Sequence, residues 1–179
     1  VSVDSVCTAL REVDVNNKET LAKAWNSICE WGPTAMLPIF QILGVDYKKK
    51  CIISRVAETE KTYDYFTKVA FVYPHAVASL KIGKGVKSEG ELIISGTEGY
   101  IYVPAPWWMT DYFEVRFEDA SKNKRYFYQL DGEGLRYELV AFKRAIENRV
   151  SDNYISHDVS MAIIKVINDF YSTKDFIQI

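Results

Sequence analysis

The segment Glu30-Trp31-Gly32-Pro33-Thr34 has the residue types of a polar binding site, since it combines a carboxylate, an aromatic ring and a hydroxyl. It directly precedes the apolar run 34–43, which predicts a buried helix ended by Gly44. Helix N-termini are usual places for polar contacts with a substrate. Glu30, Trp31 and Thr34 are therefore candidate site residues. Residue types alone favour a structural alternative, in which Thr34 caps the helix and Trp31 packs in the core.

A second candidate segment joins a turn to two adjacent tryptophans. The stretch 95–103 contains Gly96-Thr97-Glu98-Gly99 and predicts a hairpin corner. Pro104-Ala105-Pro106 then leads into Trp107 and Trp108. These rings could stack on a sugar or close a dimer interface, and they could equally fill the core.

Other chemical motifs are missing or weak. The sequence has no GxGxxG opening a helix after a strand and no P-loop, so no nucleotide-binding segment is predicted in this chain. The glycines of the stretch 83–90 resemble a phosphate loop, but the stretch lies between two predicted strands and is better explained as a hairpin loop. With two histidines and three widely spaced cysteines, no metal site is predicted.

Composition is that of an ordinary globular chain. Its 179 residues are 48 % hydrophobic and 26 % charged, and they are expected to form a single domain, 1–179. The net charge of −2 argues against nucleic acid or anionic lipid as a partner. No apolar run is long enough to span a bilayer, and an odd number of cysteines without a CxxC pair suits a cytoplasmic protein with reduced thiols. The chain begins without Met, which suggests a piece of a longer protein.

The pattern of the elements predicts an α+β fold. Short runs rich in β-branched and aromatic residues, separated by turn residues, fill the region 49–130 and are joined by links too short for crossovers. Helical spacing returns at 134–148 and 154–171, with Ser156 as the expected N-cap of the last helix. We predict a large, mainly antiparallel open sheet with helices packed on one face. The other face would need a cover, for which a second copy of the domain is the natural choice.

In four segments, taken in order, the sequence resembles the C-terminal domain of the Gfo/Idh/MocA oxidoreductases. The first segment resembles the strand that follows that family's Rossmann domain, and the second its D-x-G-x-[HY] segment and helix. The third resembles its G-T-x-G corner, and the fourth its penultimate helix. The four segments are Val1–Val6, Glu30–Thr34 with Leu43-Gly44, Gly96–Gly99, and Gly134–Ala145 with Tyr137, Glu138 and Phe142.

The resemblance implies an upstream Rossmann domain that binds NAD or NADP, with no cofactor held by this chain. It implies that this chain completes the substrate pocket and forms a homodimer or larger oligomer through its open sheet face. The usual reaction of the family is hydride transfer at a hydroxyl carbon of a sugar, cyclitol or related polyol. The catalytic positions would be Thr34 and Glu30, with Trp31, Trp107 and Trp108 binding substrate.

Two departures keep other functions open. The family's acid/base residue is commonly His or Tyr, and Thr34 occupies that position, although a hydroxyl is a poor proton carrier near neutral pH. Glu30 stands where the family usually has Asp. One alternative is a non-catalytic binding or oligomerisation module of a divergent or fused protein. Another is a self-contained enzyme such as an isomerase with paired carboxylates, which the lack of an identifiable dyad disfavours.

Overall fold

The computed structural model describes residues 1–9, 26–57, 63–84, 86–132, 134–148 and 154–179. They form nine strands, four α-helices and a short 3-10 helix at Ala120–Lys122. The strands are β1 (Ser2–Ala9), β2 (Lys49–Ala57), β3 (Tyr63–Val72), β4 (Val77–Lys84), β5 (Leu92–Ser95), β6 (Gly99–Val103), β7 (Tyr112–Phe117), β8 (Lys124–Phe127) and β9 (Ile177–Gln178). The helices are α1 (Ser27–Glu30), α2 (Gly32–Leu43), α3 (Leu135–Asn148) and α4 (His157–Ser172).

All nine strands belong to one sheet, in the order β8-β7-β6-β5-β1-β4-β3-β2-β9. Six of the strand pairs are antiparallel, and the pairs β1–β4 and β2–β9 are parallel. The α+β class and the mainly antiparallel open sheet are therefore confirmed. The parallel pair at the centre was not predicted, because it joins strands far apart in the sequence.

The loop between β4 and β5 corrects one prediction. We expected a hairpin loop at 83–90, but β4 and β5 do not pair, because β1 lies between them. The connection therefore passes the end of β1, where the Ser88 amide donates to the Thr8 hydroxyl at 3.0 Å.

Strand alternation decides which side chains enter the core. Val3 and Cys7 of β1 face the same side as Leu80 and Ile82 of β4, and all four are buried. Helices α1, α2 and α4 cover this side: α2 packs on β1 and β4, α1 on β3 and β4, and α4 on α2. These three helices therefore lie on one side of the sheet.

Helix α2 is apolar nearly all round because it lies between the sheet and α4. Pro33 stands in its first turn, where a missing N–H costs nothing, and Gly44 ends it with φ +80°. The helix begins two residues earlier than the predicted run, so Pro38 lies in its interior. Pro38 has no N–H to donate to the carbonyl of Thr34, which is therefore released from the helical hydrogen-bond ladder.

Helix α3 stands apart from this layer. Its apolar stripe, Leu135, Leu139, Phe142 and Ile146, has the predicted spacing, yet each of these side chains is 59–66 % exposed. We expected α3 to lie on the sheet beside α4, and the structure does not show this packing. An exposed apolar stripe of this kind is typical of a surface that contacts another domain or protein. In the described part of the chain, no helix is both long and apolar enough to cross a membrane.

Candidate functional site

Helices α1 and α2 meet at Trp31, which ends the first and begins the second. The Trp31 amide donates to the Ser27 carbonyl at 2.9 Å, and its carbonyl accepts from the Ala35 amide at 3.0 Å. Trp31 occupies the N-cap position of α2, and no described side chain caps that helix. Thr34 is therefore not the cap that the structural alternative proposed. Only Trp31 separates Glu30, the last residue of α1, from the first turn of α2.

Glu30 forms an ion pair with Lys84, which is not among the predicted site residues. Lys84 is the last residue of β4, and its side chain is 5 % exposed, whereas that of Glu30 is 31 % exposed. The Lys84 ammonium is almost fully buried, and the Glu30 carboxylate offsets the cost of removing its charge from water. The pair gives the site a buried positive and a partly exposed negative group.

The tryptophans of the two candidate segments lie together. The rings of Trp31 and Trp108 meet edge to face, with centroids 5.3 Å apart, and Trp107 contacts Trp108 in the same manner at 5.9 Å. Gly90 lies against the Trp108 ring, and a Cβ there would be in ordinary van der Waals contact with the ring at 3.4 Å. The Trp107 amide donates to the Gly90 carbonyl at 3.0 Å, which fixes the segment against the β4–β5 connection. All three rings also pack partly against the core.

Thr34 lies in the first turn of α2 and is partly exposed. The structure thus brings Glu30, Trp31, Trp107 and Trp108 into one cluster, with Thr34 on the adjoining helical turn. Among the described residues, no hydrogen bond joins the Thr34 hydroxyl to a titratable group.

Asp64 of β3 holds α1 from the sheet side. One oxygen of its carboxylate, Oδ2, accepts from the Ile28 amide at 3.0 Å and from the Thr67 hydroxyl at 2.9 Å. The Ser27 hydroxyl donates to the Asp64 carbonyl at 2.8 Å. Asp64 is fully buried, and burial raises its pKa to about 6, against the lowering effect of these hydrogen bonds.

Phenols surround this carboxylate. Burial raises the pKa of Tyr63 to about 12, and the negative charges of Asp64 and Glu30 act in the same direction. Burial also raises the pKa of Tyr171, which lies beside Cys29 and the Asp64 charge. The hydroxyls of Tyr63 and Tyr171 and the second oxygen of Asp64, Oδ1, are buried without a hydrogen-bond partner among the described residues. These three groups are poorly solvated, and burial is the largest cause of the raised pKa of each.

Cys7 contributes no nucleophile to this cluster. It is fully buried on β1, and burial raises the pKa of its thiol to about 12, with the Trp107 indole partly opposing the shift. A protonated thiol is unreactive.

The cluster lies at the carboxyl ends of the parallel strands β1 and β4, whose last residues, Ala9 and Lys84, are register partners. Carboxyl ends of parallel strands are where open sheets commonly bind ligands. Lys84 could have been found, because Ala78, Leu80 and Ile82 alternate inward and Lys84 continues their phase. No such alternation indicated Asp64, because the pairing register of β3 shifts between Asp64 and Phe66.

The fold and cluster define a class: an α+β domain whose open sheet ends in a cluster of aromatic and charged side chains beside a helix N-terminus. No family model matches the chain, and no curated protein matches it either. Solved structures do match, among them a 3-ketoreductase and an oxidoreductase.

One matching structure is a variant of KijD10, a 3-ketoreductase from Actinomadura kijaniata, in complex with TDP-benzene and NADP. It matches with a TM-score of 0.75 and 11 % identity, over 99 % of this chain and 52 % of its own. An oxidoreductase from Bacillus cereus matches with a TM-score of 0.68 and 16 % identity, over 94 % of this chain and 55 % of its own. At these identities the likeness shows the fold alone. The chain spans about half the length of the structures that it matches.

Proposed function

We propose that this chain is the C-terminal, substrate-binding domain of an NAD(P)-dependent oxidoreductase of the Gfo/Idh/MocA type. The observation that carries the proposal is the placement of Glu30, Lys84, Trp31 and Trp108 at one end of the sheet. The fold that holds them matches about half the length of a 3-ketoreductase and of a second oxidoreductase. The substrate class is a sugar, cyclitol or related polyol. The Trp31 and Trp108 faces suit the C–H surface of such a ring, and the Glu30–Lys84 pair suits its hydroxyls.

The cofactor belongs to a second domain in this proposal. No segment of this sequence has the glycine-rich turn between strand and helix that holds a dinucleotide. When bound, the nicotinamide supplies or accepts the hydride. This chain orients the sugar, excludes water with its tryptophans and leaves Thr34 as a hydrogen-bonding group. A group on the other domain then exchanges the proton with the substrate oxygen.

The exposed stripe of α3 suits the contact with that second domain. Four large apolar side chains on one helix face are costly in water and require a cover. In the proposal, the nucleotide-binding domain covers them, and the assembled protein is cytoplasmic.

The open sheet face suits a homodimer. On this face Arg116 lies over the Tyr102 ring at 4.4 Å and Arg125 over the Tyr112 ring at 4.8 Å, and Glu114 joins the two arginines. Tyrosine and arginine are enriched at protein interfaces. Tyr100→Glu is expected to convert the dimer to a monomer in sedimentation velocity. Tyr126→Glu is the matched control, because Tyr126 is similarly exposed on the opposite face of the sheet. A monomeric parent chain, or equal effects of both variants, would refute the interface.

The function is tested on the complete reading frame that contains this chain. We expect that protein to enhance NADH or NADPH fluorescence and to reduce keto sugars or oxidise polyols, while residues 1–179 alone leave the fluorescence unchanged. Trp31→Ala should raise the KM for the sugar or polyol and leave the affinity for the cofactor unchanged. Tyr126→Ala is the control. Cofactor binding by residues 1–179 alone, at concentrations on the order of micromolar, would contradict the proposal.

A non-catalytic module is the second candidate, and Thr34 is the residue that favours it. In that case the complete protein would bind a sugar or a partner and show no turnover with either nicotinamide cofactor. Restoring a proton carrier by Thr34→His would then leave it inactive.

A further inference from the structure

Asp64 reaches α1 because β3 contains a bulge. Arg55 of β2 pairs with Phe66, whereas the next residue, Val56, pairs with Asp64, so that Tyr65 is an extra residue on β3. An extra residue reverses strand alternation on one side of the bulge. Asp64 thereby lies on the same side of the sheet as Thr67, which donates to it, and below the N-terminus of α1.

Helix α1 is too short to be stable without contacts to the rest of the fold. It has four residues, a single turn, and its N-cap residue Asn26 makes no side-chain capping bond. A helix of one turn is unstable by itself and needs anchors from the rest of the fold. Asp64 supplies two of them: its Oδ2 accepts from the Ile28 amide, and its carbonyl accepts from the Ser27 hydroxyl.

The residues that follow Ile28 are those of the candidate site. Glu30, two residues on, meets Lys84, and Trp31 meets Trp108. Displacing the turn that carries them would separate both pairs, even if the sheet and α2 kept their places. The anchor at Asp64 is thus linked to the site through one turn of backbone.

We propose that Asp64 is a positioning residue for the candidate site: it caps α1 from across the sheet and so fixes Glu30 and Trp31. Its importance to a reaction rests on the proposed function, but its effect on Trp31 does not. The inference is therefore tested on residues 1–179 without cofactor or substrate, and its failure would leave the oxidoreductase assignment untouched.

The test uses the edge-to-face contact of Trp31 and Trp108 as a reporter. Two indoles in contact produce an exciton couplet in the far-ultraviolet circular dichroism spectrum. Subtracting the spectrum of the Trp31→Phe counterpart from that of each protein isolates the part of the couplet that depends on Trp31. Asp64→Ala is expected to lose most of this difference signal while unfolding cooperatively. Asp64→Asn keeps an acceptor for the Ile28 amide, and it is expected to retain the signal.

Asp4→Ala is the matched control for a merely structural loss. Asp4 is a carboxylate of the same sheet that accepts from Ser79 at 2.5 Å, on the face away from the helices. It is expected to lower stability and leave the Trp31 signal unchanged. The proposal is overturned if folded Asp64→Ala keeps the signal, if Asp64→Asn loses as much as Asp64→Ala, or if Asp4→Ala loses as much.

If Asp64→Ala does not fold, Ser27→Ala decides the question. This variant removes one of the two bonds between α1 and residue 64 and leaves the carboxylate in place. A reduced Trp31 signal supports the proposal, and an unchanged signal overturns it.

Discussion

The rings of Trp31 and Trp108 lie edge to face at an interplanar angle of 74° and join two segments that are far apart in the sequence. Trp31 begins α2, while Trp108 belongs to the connection between β6 and β7. This one contact therefore links the charged pair at the helix entrance to the aromatic segment after the Gly96–Gly99 corner.

A double-mutant cycle of Trp31→Ala and Trp108→Ala measures this contact. We expect a coupling free energy of about 1 kcal/mol, because edge-to-face aromatic pairs contribute roughly that amount beyond the area they bury. Urea unfolding of the four proteins gives the value. The control cycle pairs Trp31 with Tyr126, which stacks on Phe113 and not on Trp31, and its changes should add. Additive changes in the first cycle would contradict the contact.

The Glu30–Lys84 pair should couple more strongly than a surface pair. The Lys84 side chain is almost fully buried, so solvent screens the interaction less than in an exposed pair. We expect the cycle of Glu30→Gln and Lys84→Met to give a coupling of roughly 1–2 kcal/mol, below that of a fully buried pair because Glu30 is partly exposed.

The exposed pair Lys143–Glu147 of α3 is the control for this cycle, with a coupling of at most about 0.5 kcal/mol that falls in high salt. Both cycles are measured by urea unfolding at low and high ionic strength. Equal couplings, or equal sensitivity to salt, would show that the first pair is solvated.

Asp64 should make the protein less stable as the pH rises from about 4 to about 6. The folded protein holds a proton at Asp64 up to a pKa of about 6, whereas the unfolded chain releases it near the ordinary value of 3.8. Between these values the folded state binds more protons, so the free energy of unfolding falls by at most about 1.4 kcal/mol per pH unit. Below the lower value the contribution is complete, and above the higher value it is lost.

Asp64→Asn isolates this contribution, because an amide does not titrate there. The free energy of unfolding of Asp64→Asn minus that of the parent should rise by about 3 kcal/mol between the two pKa values and then level off. Urea unfolding at a series of pH values measures this difference, in which the titration of the other groups cancels. A difference that is independent of pH would mean that Asp64 titrates normally in the folded protein.

The sequence predicts helices and turns well where the pattern that indicates them is local. The run 34–43, the Ser156 cap and the hairpin corner at Gly96–Gly99 each depend on neighbours in the chain, and each has the predicted type. The β1–β4 pairing depends on residues more than seventy positions apart, such as Val3 and Ala78, and no local pattern reveals it.

The residues of the candidate site also divide into those that local sequence indicates and those that it does not. Glu30, Trp31, Trp107 and Trp108 were selected by residue type, and the structure places them together. The alternation along β4 indicates that Lys84 points inward. The glycines beside Lys84 instead predicted a loop at this position. Asp64 could not be predicted, because the bulge at Tyr65 reverses the alternation that would have pointed it away from α1. The packing of α3 could not be predicted either, since a periodic stripe shows that a helix face is apolar and not what covers it.

Gly99 should tolerate no side chain, although its backbone is not in the left-handed region. A Cβ at this position would lie 2.4 Å from the Arg116 carbonyl oxygen, a backbone atom that cannot turn aside. Gly99→Ala must therefore push β6 away from β7, and we expect a loss of about 1–3 kcal/mol in the free energy of unfolding. Gly90→Ala is the control, because its Cβ would make only ordinary contact with Trp108 and should cost less than about 1 kcal/mol. Urea unfolding compares the two variants, and equal losses would show that the strands at Gly99 are further apart than the structure has them.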